Sequence, residues 1–165
     1  MALVIEDGTN VSNADSYITI AEYNTWADAR FTAGRTTAPA TDAAAEALIY
    51  RAMDYFEAQS FQGYIANDGQ ALQWPRTWVT IDSFAVGANE IPKEVKNSIY
   101  ELAYGEEKSY GSLDAIERKI KKEKIDVIET EYADNSSSST LNIAVPNAMK
   151  KLLAGGGSGF MVSRG

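Results

Sequence analysis

Apolar residues recur with a helical period between about residues 41 and 61. They stand at positions i, i+1, i+4, i+5 and i+8, which places them in one stripe along a helix. The stripe consists of Leu48, Ile49, Ala52, Met53 and Phe56. This segment is the most clearly predicted helix of the chain, and Asp42 favours its N-terminus, where the helix dipole is positive.

Two further helices are predicted on either side of it. Thr19 and Glu22 form a capping-box pattern, in which each side chain can bond the other's backbone amide, and a helix to about Phe31 follows. Pro92 suits the start of a helix, and the apolar residues after it keep a helical spacing up to the glycines at 105 and 111. The apolar positions of this third helix are Val95, Ile99, Leu102 and Ala103.

Strand patterns lie near both ends of the chain. Leu3 to Ile5 precede an Asp-Gly turn, so a short strand or extended arm is expected there. Residues 125–132 are rich in β-branched side chains, and apolar residues alternate with others again after a polar loop. This pattern predicts one β-hairpin over about residues 125–145 with a long tip. Its alternating apolar positions are Leu141, Ile143 and Val145.

Turn formers and charges fill the connections. Residues 67–69 predict a turn, and Trp74-Pro75-Arg76 predicts an ordered loop because proline cannot sit within a helix. Residues 114–124 are dense in charge and predict a solvated helix or turn. Pro146 can open a last short helix that carries Met149, Leu152 and Leu153. The expected fold is mainly α: a small domain of three to four helices with one β-hairpin, over residues 1–153.

A stretch rich in glycine and serine follows this domain. Residues 154–165 are expected to form a flexible C-terminal tail, because each glycine leaves the backbone almost unrestricted. The far end of the tail carries Phe160, Met161, Val162 and Arg164. Such a segment can plug into another molecule's surface, and the alternative interpretation is an ordinary frayed terminus.

Charge and residue usage narrow the classes of function. The 165 residues include 15 Lys and Arg against 23 Asp and Glu, and this formal charge of −8 disfavours general binding to nucleic-acid phosphates. The absence of cysteine and histidine excludes thiolate nucleophiles, thiolate or imidazole metal ligands and the commonest general base. The N-terminus indicates no signal peptide or transmembrane helix. We expect no catalysis, no metal, no cofactor and no membrane partner.

Two constellations were weighed as possible sites. Residues 114–124 hold five cations against three anions. We interpret this segment first as a solvated face, second as a contact with an acidic protein and third as a DNA-binding segment. Glu129 and Glu131 share one face of the predicted strand and could act as a carboxylate pair. They have no third ligand at a sensible spacing, so a solvated strand edge is the better interpretation.

Several motifs occur in a characteristic order along the chain. The most distinctive is Leu72-x-Trp74-Pro75-Arg76; the others are Ala14-Asp15-Ser16-Tyr17, Ala52-Met53-Asp54-Tyr55-Phe56, Phe61-Gln62-Gly63, Ile91-Pro92-Lys93-Glu94-Val95-Lys96 and residues 120–132. In this combination the chain resembles a family of tailed-bacteriophage head-to-tail adaptors, also called connectors or head completion proteins and, by an older label, DnaT-like single-stranded DNA-binding proteins. The resemblance covers roughly residues 4–165.

This resemblance implies a structural protein of the virion. Such adaptors form a ring of about twelve copies beneath the portal, join the capsid to the tail and surround the DNA channel. The implied partners are the portal protein, neighbouring copies and a tail-proximal component, while duplex DNA passes without specific binding. Before assembly the protein would be in the host cytoplasm. The alternative is a single-stranded nucleic-acid-binding module, which salt-dependent retention on single-stranded DNA would reveal.

The resemblance and the sequence pattern together suggest roles for individual residues. Because the C-terminal segment of such adaptors commonly reaches into the portal, the residues predicted to bind it are Met149, Leu152, Leu153, Phe160, Met161, Val162 and Arg164. The predicted ring interface is the open strand edge of Leu141, Ile143 and Val145. Trp74, Pro75 and Arg76 are interpreted as a structural anchor, with a base-stacking platform as the alternative. Trp26 and Trp78 are interpreted as core or interface anchors.

Overall fold

A computed structural model describes residues 3–31, Arg35, residues 38–109, Leu113 and residues 149–154, and the backbone of two strands at 122–125 and 128–131. Three helices dominate: α1 (Ile20–Phe31), α2 (Asp42–Glu57) and α3 (Lys93–Lys108). No helix in these ranges is long and apolar enough to cross a membrane.

Three antiparallel pairs of short strands accompany the helices. Strands β1 (Tyr64–Ile65) and β2 (Arg76–Thr77) form the first pair, and β3 (Thr80–Ile81) and β4 (Phe84–Ala85) form the second. Both lie between α2 and α3 in the chain. The third pair consists of β5 (Lys122–Ile125) and β6 (Ile128–Glu131). The chain thus forms the expected small helix-rich domain, although the sequence predicted only one hairpin.

The predicted helix starts are confirmed by their capping contacts. The Thr19 amide donates to Glu22 Oε2 at 2.7 Å, and the Glu22 amide donates to Thr19 Oγ1 at 3.1 Å, which is the reciprocal capping box. Thr41 caps α2 by accepting a hydrogen bond from the Ala44 amide. Pro92 precedes the first residue of α3, and this helix continues through Gly105. Helix α2 ends at Glu57, four residues before the predicted end.

The core lies chiefly between α2 and α3. The predicted apolar stripe of α2 is entirely buried, and so is that of α3. Burying one large aliphatic or aromatic side chain contributes about 1.5–3 kcal/mol, so these two stripes hold the helices together. Tyr17, Tyr23 and Trp74 complete the core from other segments.

The position of the third hairpin differs from the prediction. Residues 114–124 were expected to be a helix or turn, but Lys122–Ile125 forms β5 and pairs with β6. The backbone register places Lys124 opposite Glu129. The predicted partner strand at Leu141–Val145 lies outside the described residues.

The N-terminal segment is extended, as expected, and its loop is organised by one carboxylate. Ile5 forms a parallel bridge with Ser16. Between them the buried Glu6 side chain accepts hydrogen bonds from three backbone amides at 2.8–3.0 Å, which belong to Gly8, Asn10 and Val11. These bonds hold the loop of residues 7–15 closed ahead of α1.

Candidate interaction surface

The Trp-Pro-Arg loop is joined to two distant segments by hydrogen bonds. The Trp74 amide donates to the Tyr17 hydroxyl at 2.9 Å, and that hydroxyl donates to Glu57 Oε1 at 2.8 Å. The Gln73 amide donates to the other oxygen of Glu57 at 2.7 Å. The Trp74 side chain is fully buried, and its peptide bond to Pro75 is cis. Two of the sequence motifs therefore meet at Glu57, the residue that directly follows a third motif.

Arg76 forms hydrogen bonds with backbone carbonyl groups of its own domain. Its guanidinium donates to the carbonyl oxygens of Gln62 at 2.7 Å and Gly63 at 2.9 Å, and also to those of Phe61 and Gln73. Burial lowers the pKa of this guanidinium. In this position Arg76 has no free donor face for a phosphate, and Trp74 has no exposed ring face for a base. The arrangement therefore favours the anchor interpretation over the base-stacking one.

The most exposed large apolar side chains project from the hairpins between α2 and α3. We call Tyr64, Ile65, Trp78 and Phe84 the hairpin surface. Their exposed fractions are 72%, 51%, 86% and 78%, respectively. Tyr64 pairs with Thr77, the neighbour of Trp78, and Phe84 pairs with Ile81. These four exposed apolar side chains, on or between two linked hairpins, are the candidates for contact with a partner in the described part of the chain.

Trp78 is held in an uncommon backbone conformation. Its φ of 59° lies in the left-handed region, which a bulky residue rarely adopts. The backbone is fixed on both sides, because Thr77 pairs with Tyr64 and the Val79 carbonyl accepts the Val86 amide at 3.0 Å. The fold thus fixes the backbone that carries this exposed indole, as expected of an interface anchor.

The charges around the hairpin surface are mainly negative. Between residues 64 and 94 the sequence has four anions, Asp68, Asp82, Glu90 and Glu94, against two cations, a formal charge of −2. One of the two cations is the enclosed Arg76. Proteins that bind single-stranded nucleic acid combine stacking aromatics with a positively charged path for the backbone. The described cations near this surface, Lys93 and the Asp82-bound Lys151, are too few to form such a path, which favours a protein partner.

A groove runs beside the hairpin surface, between β3–β4 and the start of α3. It has a volume of about 280 Å³. Its walls contain Ile81, Phe84, Ala85, Val86, Glu90, Pro92, Lys93 and Glu94. The groove therefore combines an apolar wall with two carboxylates and one ammonium group.

The residues predicted to bind the portal fall into two groups. Met149 and Leu152 are buried in the domain's own core, and Leu153 is half-buried in an antiparallel bridge with Phe61. Met149 and Leu152 have no surface to offer a partner in this conformation, since their apolar side chains gain more from the core than from solvent. Their assignment to the portal interface stays a prediction, and their burial in this conformation disfavours it. The other predicted portal contacts, Phe160, Met161, Val162 and Arg164, lie outside the described residues, as do Leu141, Ile143 and Val145 of the predicted ring interface.

Residues 149–154 fix the point from which the tail departs. The Gln62 amide donates to the Leu152 carbonyl at 2.9 Å, and the Ala154 amide donates to the Ser60 carbonyl at 2.9 Å. The Lys151 ammonium group binds Asp82 in the turn between β3 and β4. The tail therefore starts at a defined place next to the hairpins.

A second aromatic cluster lies between α1 and α3. Trp26 stacks on Tyr100 with ring centroids 5.4 Å apart, and Phe31 stacks on Tyr104 at 3.9 Å. Arg30 lies over the Trp26 ring at 4.5 Å, and Lys108 over the Tyr104 ring at 5.5 Å. Aromatic rings and cations therefore coincide at this cluster. Both stacks are already filled by partners within the domain.

Buried ion pairs connect α3 with the rest of the domain. The Arg35 guanidinium binds Glu107 at 2.7 Å, and this carboxylate also accepts the Tyr23 hydroxyl. The bond to Glu107 raises the pKa of Arg35. Arg51 binds Glu106 at 2.7 Å. These carboxylates are engaged with cations of the domain, and in the described part of the chain no group of three or more acidic side chains could hold a metal ion.

The sequence pattern did not predict that the four exposed side chains of the hairpin surface lie on neighbouring hairpins. A weak signal was present, because buried Val79 and Ile81 alternate with exposed Trp78 and Thr80. Strands of two residues are too short for this alternation to stand out.

A family model described as "Putative DnaT-like ssDNA binding protein" matches residues 1–165. The chain therefore belongs to this DnaT-like family. Neither a curated protein nor a solved structure matches it.

Proposed function

We propose that this protein is a structural head-to-tail adaptor of a tailed bacteriophage. In this role it forms a ring beneath the portal, joins capsid to tail and surrounds the DNA channel as part of the virion. The observation that carries the proposal is the hairpin surface, which offers solvent-exposed aromatic side chains on an acidic stretch of chain. The resemblance of the sequence motifs to those of phage head-to-tail adaptors indicates which proteins these partners are.

The physical argument rests on what each kind of partner requires. Phosphate contacts dominate affinity for nucleic acid, and they need accessible cations. The chain has a formal charge of −8, and Arg76 is enclosed by carbonyl groups. Protein interfaces instead concentrate binding energy in a few aromatic anchors such as Trp and Tyr, surrounded by polar residues. Trp78, Phe84 and Tyr64 fit that description.

Co-sedimentation with portal-bearing capsids tests the proposal. We expect Trp78→Ser combined with Phe84→Ser to weaken association at least about tenfold, because each anchor typically contributes more than 1 kcal/mol. The matched control is Tyr50→Ser, which changes a partly exposed aromatic on α2 and should leave association unchanged. Equal sedimentation of all three proteins would show that the hairpin surface is not the contact.

Single-stranded DNA binding is the second candidate. The family's description and the two cation–aromatic contacts at Trp26 and Tyr104 favour it. A base could stack there only by displacing Arg30 or Lys108 from a ring. If this function is correct, the protein is retained on a single-stranded oligonucleotide column in a salt-dependent manner, and Arg30→Ala with Lys108→Ala abolishes retention. Under the adaptor proposal the wild-type protein elutes without retention at about 0.15 M salt.

A further inference from the structure

The groove between the β3–β4 hairpin and the start of α3 lies near the origin of the tail. Lys151, three residues before Ala154, binds Asp82 in the turn of that hairpin. Asp82, and with it Glu94 in the groove wall, raises the pKa of Lys151. The ion pair with Asp82 places Lys151 at the turn of the hairpin whose strand β4 forms one wall of the groove.

The sequence beyond Ala154 begins with a short tether. Six residue steps separate Ala154 from Phe160, and an extended chain covers about 3.3–3.6 Å per residue, or about 20 Å in total. The intervening residues, 155–159, are glycine and serine, which impose little conformational restriction. A tether of this length gives the segment an effective concentration in the millimolar range at nearby sites.

The groove and the segment are chemically complementary. Ile81, Phe84 and Val86 supply apolar wall, and Glu90 and Glu94 supply negative charge. The segment after the tether presents three apolar side chains, Phe160-Met161-Val162, followed by the cation Arg164. Burial of the apolar side chains and a charge-assisted bond from the guanidinium to a carboxylate would both favour binding.

We propose that in the free protein the segment Phe160–Arg164 of the same chain occupies the groove beside Phe84, with Arg164 at Glu90 and Glu94. In this position the segment covers Phe84, one of the four side chains of the hairpin surface. A partner that takes up the segment therefore uncovers Phe84 at the same time. The inference concerns the isolated protein, so it can fail while the adaptor function holds, and the reverse is also possible.

Disulfide trapping in the full-length chain tests this placement directly. The chain has no cysteine, so Ala85→Cys with Ser163→Cys creates a single pair that joins the groove to the segment. The matched control is Ala58→Cys with Ser163→Cys. Ala58 is also exposed and lies two residues before Ser60, whose carbonyl accepts the Ala154 amide. Ala58 is not among the residues that line the groove. Both alanine substitutions are small changes at exposed positions, and circular dichroism verifies that each variant is folded.

Under mild oxidation in dilute solution we expect the Ala85 pair to form an intramolecular disulfide about tenfold faster than the Ala58 pair. Adding Phe160→Ala and Met161→Ala should reduce the rate of the Ala85 pair to that of the control. Equal rates for the two pairs would overturn the proposal. Disulfide-linked dimers as the main product of the Ala85 pair would also overturn it, because the occupant would then be the tail of a second copy.

Discussion

Tyr17 joins three parts of the chain through one hydroxyl group. It donates to Glu57 and accepts the Trp74 amide, and the two partners are 40 and 57 residues away. The residue types around Trp74 indicated an ordered loop, because tryptophan and proline suit a packed connection. They did not reveal that Tyr17 and Glu57 hold this loop, since a sequence pattern carries no sign of such distant pairings.

Tyr17→Phe should destabilise the domain with little change in shape. The variant keeps the buried ring but leaves the Trp74 amide and one oxygen of Glu57 without this partner. An unsatisfied buried polar group costs about 1–3 kcal/mol, so we expect a loss of that order in the free energy of unfolding. Urea denaturation measures the loss. Tyr50→Phe, at a partly exposed tyrosine of α2, is the control, and an equal effect of both substitutions would contradict the role of the hydroxyl.

Glu57 should make stability depend on pH. Burial raises the pKa of this carboxyl above its ordinary value of 4.5, although hydrogen bonds from Tyr17 and Gln73 act in the opposite direction. The folded state then binds more protons than the unfolded state, so stability falls as pH rises from about 4.5 through the folded-state pKa. Glu57→Gln removes this titration, and its stability should fall less than that of the wild type over the same range. Parallel pH profiles from urea denaturation would contradict this assignment.

At the scale of elements, local signals identified the helices but not the strand pairs. Capping residues and apolar stripes are local, and they gave the starts of α1, α2 and α3 correctly. Strands β1 to β4 have two residues each, too few to show an alternating pattern. The charge density of residues 114–124 suggested a helix or turn, whereas Lys122–Ile125 forms a strand that pairs with β6.

Gly63 controls the approach of β1 to β2. Its φ is 66°, and a Cβ atom there would lie 2.0 Å from the Thr77 carbonyl oxygen. Gly63→Ala therefore forces the two strands apart and disturbs the Arg76 bond to the Gly63 carbonyl. We expect a loss of more than about 2 kcal/mol in the free energy of unfolding, from backbone strain and the lost contact together.

Gly69→Ala is a well-matched control for this substitution. Gly69 also has a positive φ, of 77°, but a Cβ atom there would meet no atom within 4 Å. Only the backbone strain remains, which amounts to about 1–2 kcal/mol. Thermal unfolding of both variants separates the two contributions. If Gly69→Ala is as destabilising as Gly63→Ala, close approach of the strands is not what requires glycine at position 63.

At the scale of the whole molecule, residues 149–154 attach the C-terminal part of the chain to the domain. The sequence placed Met149, Leu152 and Leu153 at the end of the domain, and it also assigned them to a partner. The structure buries the first two in the core and pairs the third with Phe61. A short apolar cluster looks the same in sequence whether it packs on its own domain or on another protein, so only the three-dimensional contacts distinguish these roles.

Two truncations should separate the contribution of residues 149–154 from that of the tail. Ending the chain after Ala154 keeps the buried Met149 and Leu152 and the bond from Ala154 to Ser60, so we expect the melting temperature to remain near that of the full-length protein. Ending it after Ala148 removes both buried side chains. Since deletion of one such side chain costs about 2–5 kcal/mol, this shorter chain should be largely unfolded or melt far lower.

Co-sedimentation of the full-length protein and of the chain ending at Ala154 with portal-bearing capsids then tests residues 155–165 alone. The chain ending at Ala154 is expected to be folded and yet to co-sediment much less than the full-length protein, because it lacks Phe160, Met161, Val162 and Arg164. The hairpin surface remains intact in this truncated chain, so any residual binding measures what Trp78 and its neighbours contribute without the tail. Undiminished co-sedimentation would show that residues 155–165 are dispensable for portal binding and would leave the hairpin surface as the candidate contact.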